Sequence, residues 1–346
     1  MEEQNQEENN ETQELYEHYR FKVDAGQGLL RIDKFLYNRL ENISRNKIQN
    51  AARAGNIFVN NIAIKPNYKV KPADDIAILL PTPVREIELI PEDIPLVVVY
   101  EDEDLIIIDK KAGMVVHPAY ANYTGTLLNA LLFHFGRQTD SESRPVKPWM
   151  VHRIDKNTSG LLIIAKNELA QALLAKQFYY HNIDRLYLTM VWGDFEENEG
   201  TINVNIGRNP KNRKVMTTFN DGETGKNAVT HYRVIERFRY VTLLECRLET
   251  GRTHQIRTHL KSIGHPVFND PEYGGNEILK GTTFTKYKQF VKNCFALCNR
   301  QALHAKTLGF IHPSTKEKLF FNSELPSDML ALIEKWRNYT KTMSSE

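Results

Sequence analysis

The sequence predicts an α+β protein in two domains: a small N-terminal α/β module, and a larger domain built on a mixed or antiparallel sheet with helices packed on it. Three observations predict this. Strand-like apolar runs at 96–100, 105–109, 161–165, 185–192, 229–236 and 241–248 follow one another without a regular helix between each pair, which argues against a doubly wound parallel sheet. Pro81, Pro83, Pro91 and Pro95 punctuate the stretch before them, and proline lacks the backbone donor needed inside a helix or a central strand. The chain, 346 residues with 41% hydrophobic and 25% charged, is long enough to bury one large core and a second, smaller one.

Residues 1–16 read as a disordered acidic tail. The first 14 hold six Glu, no basic residue and few apolar side chains, too little burial to offset the entropy of ordering. The module is expected over 17–81. Leu29, Ile32, Phe35, Leu36 and Leu40 recur at three- and four-residue steps, as on one face of a helix. Ser44 stands where an N-cap belongs, ahead of a second short helix carrying Arg45, Lys47 and Arg53, and Gly55 stops it. Ile57 and Val59, an Asn60-Asn61 turn, Ile62 and Ile64, then Ile76, Ile78 and Leu80 read as short strands joined by tight turns. A linker is expected over 82–94, the larger domain over 95–340 with helices near 125–135, 168–180, 253–263 and 328–339, and a C-terminal tail over 341–346.

Net charge is only +2, but residues 20–71 carry 11 Lys or Arg against 3 Asp or Glu, so the positive charge is concentrated in the module. Arg45, Lys47 and Arg53 share its second helix and are candidates for phosphate contacts that weaken with salt. A second basic stretch, Arg208 to Lys214, is a further candidate for contacts to a phosphate backbone. No apolar run approaches the roughly 20 residues of a membrane span, and the acidic start does not look like a secretory signal. Cys246, Cys294 and Cys298 are too few and too irregular for a disulfide framework or a zinc site and read as buried core residues, so a cytoplasmic location is expected. His117, His152, His254, His259 and His304 show no ligand spacing supported by carboxylate or cysteine, and no metal is expected.

The chemistry concentrates in three segments. Val151-His152-Arg153-Ile154-Asp155-Lys156-Asn157-Thr158-Ser159-Gly160 leads a polar turn with a carboxylate at its centre into a buried strand, which holds functional groups at the edge of a rigid sheet. The second is Arg185-Leu186-Tyr187 through Trp192-Gly193. The third runs from Glu249 through Thr253-His254-Gln255-Ile256-Arg257, a strand exit and a helix that Thr253 would cap, with Arg257 one turn beyond His254. Taken singly, Asp155 reads as a turn residue, Tyr187 as sheet packing and Arg257 as a surface arginine.

Together, and with Gln301 through Ala305 downstream, these segments resemble the RluA family of pseudouridine synthases, from about Leu96 to Tyr339. Arg31 through Leu36, Ser44-Arg45 and Gly55 through Asn60 resemble the RNA-binding domain named after small-subunit ribosomal protein S-four. Ile94-Pro95 through Val115-Val116-His117-Pro118 is similar to the RluD-like branch of large-subunit synthases. The resemblance implies that Asp155 is the catalytic carboxylate, acting at the anomeric carbon, at the uracil ring or by starting glycal formation. Tyr187 would stack on the target base and take the proton from carbon five, Arg257 would pair with Asp155, and Arg153 would fill the space left by the extruded uridine. It further implies large-subunit ribosomal RNA as partner in preference to transfer RNA, a monomer, and no metal, redox or other cofactor. Ile154 stands where the family more often has Leu, and Asp109-Lys110-Lys111 where Asn-Lys-Pro is usual. Two other readings stand beside this one: a non-catalytic RNA-binding ribosome-assembly factor, and a glycoside hydrolase, which would need a second carboxylate flanking the bond.

Overall fold

A computed structural model of the chain describes residues 16–40, 43–80, 89–118, 122–137 and 147–343. They divide into two compact units, with the division between residues 88 and 89. The expected tail lies outside the described residues except for Tyr16, which opens a strand.

The first unit runs β1 (Tyr16–Lys22), β2 (Leu30–Arg31), α1 (Ile32–Tyr37), α2 (Arg45–Arg53), β3 (Ile57–Val59), β4 (Ile62–Ala63), β5 (Lys69–Val70) and β6 (Asp75–Leu80). An antiparallel sheet in the order β1-β6-β3-β4 backs the helices, and β2 pairs with β5. Ile32, Phe35, Leu36, Ile48, Ile57, Val70 and Ile76 form its core. Ser44 caps α2 by accepting the Lys47 N–H. Asn60 and Asn61 both take positive φ, 50° and 65°, which two-residue hairpin loops require and asparagine tolerates. Helix α1 is shorter than the apolar spacing predicts; Leu29 is exposed and precedes it.

The second unit contains β7 (Val98–Glu101), β8 (Leu105–Lys110), α3 (Leu127–Gly136), β9 (Trp149–Met150), β10 (Ser159–Ala165), α4 (Glu168–Tyr179), β11 (Asp184–Trp192), β12 (Glu199–Asn203), β13 (Asn205–Arg208) and β14 (Met216–Phe219). It continues through β15 (Val229–Arg237), β16 (Val241–Leu248), α5 (Gln255–Ser262), α6 (Thr285–Leu297), β17 (Leu303–Ile311), β18 (Lys318–Asn322) and α7 (Ser327–Met343). The main sheet has the order β12-β15-β16-β11-β17-β10-β8-β7, with β18 on β17 and β9 on β10. All its pairings are antiparallel except β10 with β17, so the sheet is mixed.

Strand β10 is buried along its whole length because both faces are covered. Leu162 and Ile164 face a core shared with α3, and Leu161 and Ile163 face one shared with α4. A third core, around Trp192, Phe268 and Trp336, holds α6 and α7 and takes in Cys294 and Cys298.

The structure shifts two of the expected boundaries. Residues 89–94, assigned to the linker on sequence, are tied to the second unit: the Glu92 N–H donates to the Asn129 carbonyl at 3.0 Å, the Asn129 amide donates to the Ile90 carbonyl at 2.8 Å, and the Glu92 carboxylate accepts the Gly125 N–H at 3.0 Å. Helix α7 continues to Met343, past the expected start of the tail. No helix among the described residues is long and apolar enough to cross a membrane.

Candidate active site

Asp155 lies in the loop 151–158 between β9 and β10, and that loop is held by its own carbonyls. The Lys110 ammonium, buried at the end of β8, donates to the carbonyls of Lys111, Met114 and Lys156 at 2.9, 2.9 and 3.1 Å. Arg300 donates to the Asn157 carbonyl at 3.0 Å and to Ser159 Oγ at 3.2 Å. The Thr158 N–H closes a turn on the Asp155 carbonyl at 3.1 Å. On the other flank, His152 Nε2 accepts the Ile163 N–H at 3.0 Å while its ring stacks on Phe178. Accepting an N–H requires the neutral ring, and burial, with Arg185 adding to it, pushes its pKa down to about 3.

Arg257, on the first turn of α5, reaches Asp155 Oδ2 with Nη1 at 3.1 Å. It is also clasped by Asp270, with Nε to Oδ2 at 2.6 Å and Nη2 to Oδ1 at 2.8 Å, and by Glu272 at 2.6 Å. Burial works against the charge of Arg257, but these carboxylates outweigh it and its pKa lies above the ordinary guanidinium value. The side chain is therefore a fixed cation whose hydrogen bonds set the orientation of Asp155.

The helix start differs from expectation. Thr253 does not cap α5; its N-cap is His254, in the left-handed region at φ 54°. The reason is Gln255, whose amide oxygen accepts from Thr250 Oγ1 and the Arg252 N–H while its nitrogen donates to the Val229 carbonyl and Thr230 Oγ1. The two donated bonds bind the helix start to β15, the two accepted ones tie it to the segment before it, and His254 is left to make the sharp turn. That turn brings His254 Nε2 to 3.8 Å from Asp155 Oδ1 and Nδ1 to 2.9 Å from the Tyr273 hydroxyl. Burial pushes the His254 pKa down.

Tyr187 sits in mid-strand on β11, opposite Cys246 of β16 and Ala305 of β17, beside a register shift at which β17 carries the extra residue, Lys306. It is 7% exposed, and burial raises its pKa, so the phenol is protonated at neutral pH. Asp155, Tyr187, Arg257 and His254, together with Arg153, Arg185 and Phe178, line one cavity of about 680 Å³. That volume accommodates a nucleotide-sized ligand. Arg153 is exposed at its wall.

Arg45, Lys47 and Arg53 lie on α2 of the first unit. Lys47 and Arg53 are exposed. Arg45 is partly neutralised by the buried Asp33, which accepts from it at 2.7 Å and also from Arg31 and Gln49, and burial of that carboxylate is overcome by the three donors, so its pKa falls below the ordinary range. Asp33 thereby holds two arginines of the module in place. The basic stretch 208–214 forms the tip of the β13–β14 hairpin and is exposed at Arg208, Lys211, Arg213 and Lys214.

Sequence reasoning missed Asp270, Glu272, Lys110 and Arg185. Asp270 precedes a proline in a turn and looks like a turn residue, and Lys110 ends an apolar strand; neither carries a local signal of its partner. Arg185 lies in a segment singled out on sequence, yet nothing in strand alternation shows that its guanidinium is buried.

Residues 104–262 match the RNA pseudouridylate synthase family, and residues 30–76 match the S4 domain. The chain is 47% identical to an uncharacterized RNA pseudouridine synthase of Chlorobaculum parvum over 91% of this chain and 96% of that one. It is 42% identical to the ribosomal large subunit pseudouridine synthase D of Zymomonas mobilis over 88% of this chain and 93% of that one. In fold, it is similar to human RNA pseudouridylate synthase domain containing 4, with a TM-score of 0.56 at 21% identity over 70% of this chain and 93% of that one.

Proposed function

The chain belongs to the RNA pseudouridylate synthase family, and on that premise we propose that it isomerises uridines of large-subunit ribosomal RNA to pseudouridine, with Asp155 as the catalytic carboxylate. One observation carries the assignment of Asp155: it is the carboxylate that lines the cavity, held at 3.1 Å by the buried Arg257. The name of the Zymomonas mobilis relative, matched over nearly its whole length, supports ribosomal RNA as the substrate.

In this reading the target uridine leaves its stack and enters the cavity, at a cost of a few kcal/mol that an Arg153 side chain stacked in the vacated space partly offsets. Asp155, oriented by Arg257, breaks the bond between N1 and the ribose. The uracil turns against Tyr187 and rejoins through C5, and the proton lost from C5 ends on N1. Arg45, Lys47 and Arg53 of the S4 domain supply contacts to phosphates, so binding weakens with salt.

The test is pseudouridine mapping of ribosomal and transfer RNA from cells lacking the gene, complemented with wild type or with Asp155→Asn. Expected are large-subunit marks that vanish on deletion and return only with wild type. Marks that persist in the deleted strain, or that Asp155→Asn restores, would overturn the assignment, the former in favour of a ribosome-assembly role.

A further inference from the structure

Arg185 is 7% exposed, lines the cavity, and has no ion-pair or hydrogen-bond partner among the described residues; its Nε is buried and unsatisfied. A buried guanidinium without a counter-ion is costly, and native proteins rarely keep one without a use. The carboxylate beside it in sequence, Asp184, is engaged elsewhere, with Lys318 at 3.1 Å and Arg247 at 3.7 Å. Its surroundings on the cavity side are uncharged: the Phe178 ring, centred 5.2 Å away, and His152, which is neutral. At position 251 the chain has glycine, and a Cβ there would stand 3.1 Å from Arg185 Nη1, so the absence of a side chain keeps that side of the guanidinium open.

We infer that Arg185 is a catalytic residue of the proposed isomerase reaction, stabilising the negative charge that the reaction places on the uracil ring. The inference rests on the function proposed above and deepens it. Arg185 and Tyr187 are two residues apart on β11 and therefore share a face of the sheet. Tyr187 is within electrostatic reach of both the Arg185 cation and the Asp155 anion. A uracil lying on Tyr187 thus has the carboxylate at its sugar end and the guanidinium within reach of its ring.

The charge accounting is the same for every route open to Asp155. If the carboxylate bonds to the anomeric carbon, it becomes a neutral ester, the pair of the broken bond stays on N1, and uracil departs as an anion delocalised over O2 and O4. If it takes the proton from C2′ instead, the C2′–H pair forms the sugar double bond and uracil departs with the same charge. If it adds to C6, the charge moves to C5 and O4 as an enolate. In each case one negative charge leaves Asp155, next to Arg257, and arrives on a ring that only Arg185 among the buried cavity cations is free to meet. Arg257 cannot serve, because Asp270 and Glu272 already occupy it. A phosphate is the less fitting partner: the exposed Arg153 is available to the backbone, whereas Arg185 lies beneath the aromatic wall.

The experiment compares the full-length wild type with Arg185→Met and Arg185→Lys on a ribosomal RNA transcript, measuring single-turnover rate at saturating enzyme, RNA affinity as a function of salt, and thermal melting. Expected for Arg185→Met are a rate loss of about 100-fold or more, unchanged affinity and salt slope, and a melting temperature equal to or above wild type, since an unpaired buried charge has been replaced by an apolar side chain. Arg185→Lys should recover part of the rate. A rate for Arg185→Met within about threefold of wild type would overturn the inference. So would a salt slope reduced by about one, which marks a phosphate anchor, or a lowered melting temperature, which marks a structural arginine. A wild-type protein that forms no pseudouridine on any RNA would instead sink the underlying function and is read from its own lane.

Discussion

Replacing Arg257 by Met keeps the length of the side chain and removes its charge, and the structure indicates what that costs. Asp270 is fully buried and would lose both of its guanidinium bonds, at 2.6 and 2.8 Å, keeping only the backbone N–H groups of Glu272 and Tyr273 at 3.1 and 3.3 Å. Breaking a buried pair from one side costs about 3 to 5 kcal/mol because a charge is left uncompensated. Loss of the half-exposed Glu272 partner adds little. Urea denaturation of Arg257→Met should therefore show a loss of about 3 to 5 kcal/mol. The double variant Arg257→Met/Asp270→Leu removes both charges together and should recover at least about 2 kcal/mol of that loss as a coupling energy. Turnover should not recover with it, because Asp155 still lacks the cation that orients it at 3.1 Å. A single variant that loses less than about 1 kcal/mol, or a double variant that regains activity along with stability, would refute this account of Arg257.

His152 gives a pH prediction. Its pKa falls from the ordinary 6.5 to about 3, so the unfolded chain binds the extra proton first and stability is lost as pH falls from 6.5 toward 3. At 1.36 kcal/mol per pH unit this amounts to about 2 to 5 kcal/mol, the lower figure allowing for the edge of the ring that borders the cavity. His152→Gln retains an acceptor for the Ile163 N–H without titrating, so its denaturation midpoint should decline less than that of wild type between pH 7 and 4; parallel curves would contradict the assignment. Gly160 has φ 110° in β10, and a Cβ there would overlap the Ala305 carbonyl oxygen across the parallel pairing with β17. Gly160→Ala should lower Tm by at least about 6 °C, and a change below about 2 °C would show that the two strands can separate without cost.

Local sequence carried a large part of this protein. Alternation and proline punctuation marked most strands of the main sheet, Ser44 marked a cap that it makes, and Asn60-Asn61 marked a hairpin loop that needs positive φ at both positions. These are short-range effects: a rotamer, a cap or a turn is decided by residues within a few positions of one another, and the sequence displays them side by side. The string around Asp155 is of the same kind, a polar turn followed by a strand buried on both faces.

What the sequence did not display was decided between distant segments. Asp270 and Glu272 share Arg257 with an aspartate 102 positions before it. Arg300 reaches back to Asn157 and Ser159, and β10 lies parallel to β17 although their bonded residues are 145 apart. Thr253 has the residue type of a cap and is not one, because Gln255 finds two partners on the neighbouring strand β15 and two in the segment just before the helix, and the helix start turns at His254. Arg185 is a strand residue buried without a counter-ion among the described residues. Whether a charged side chain is solvated, paired or buried alone depends on which surfaces close around it, and only the packed tertiary structure, with its low dielectric and fixed distances, determines that.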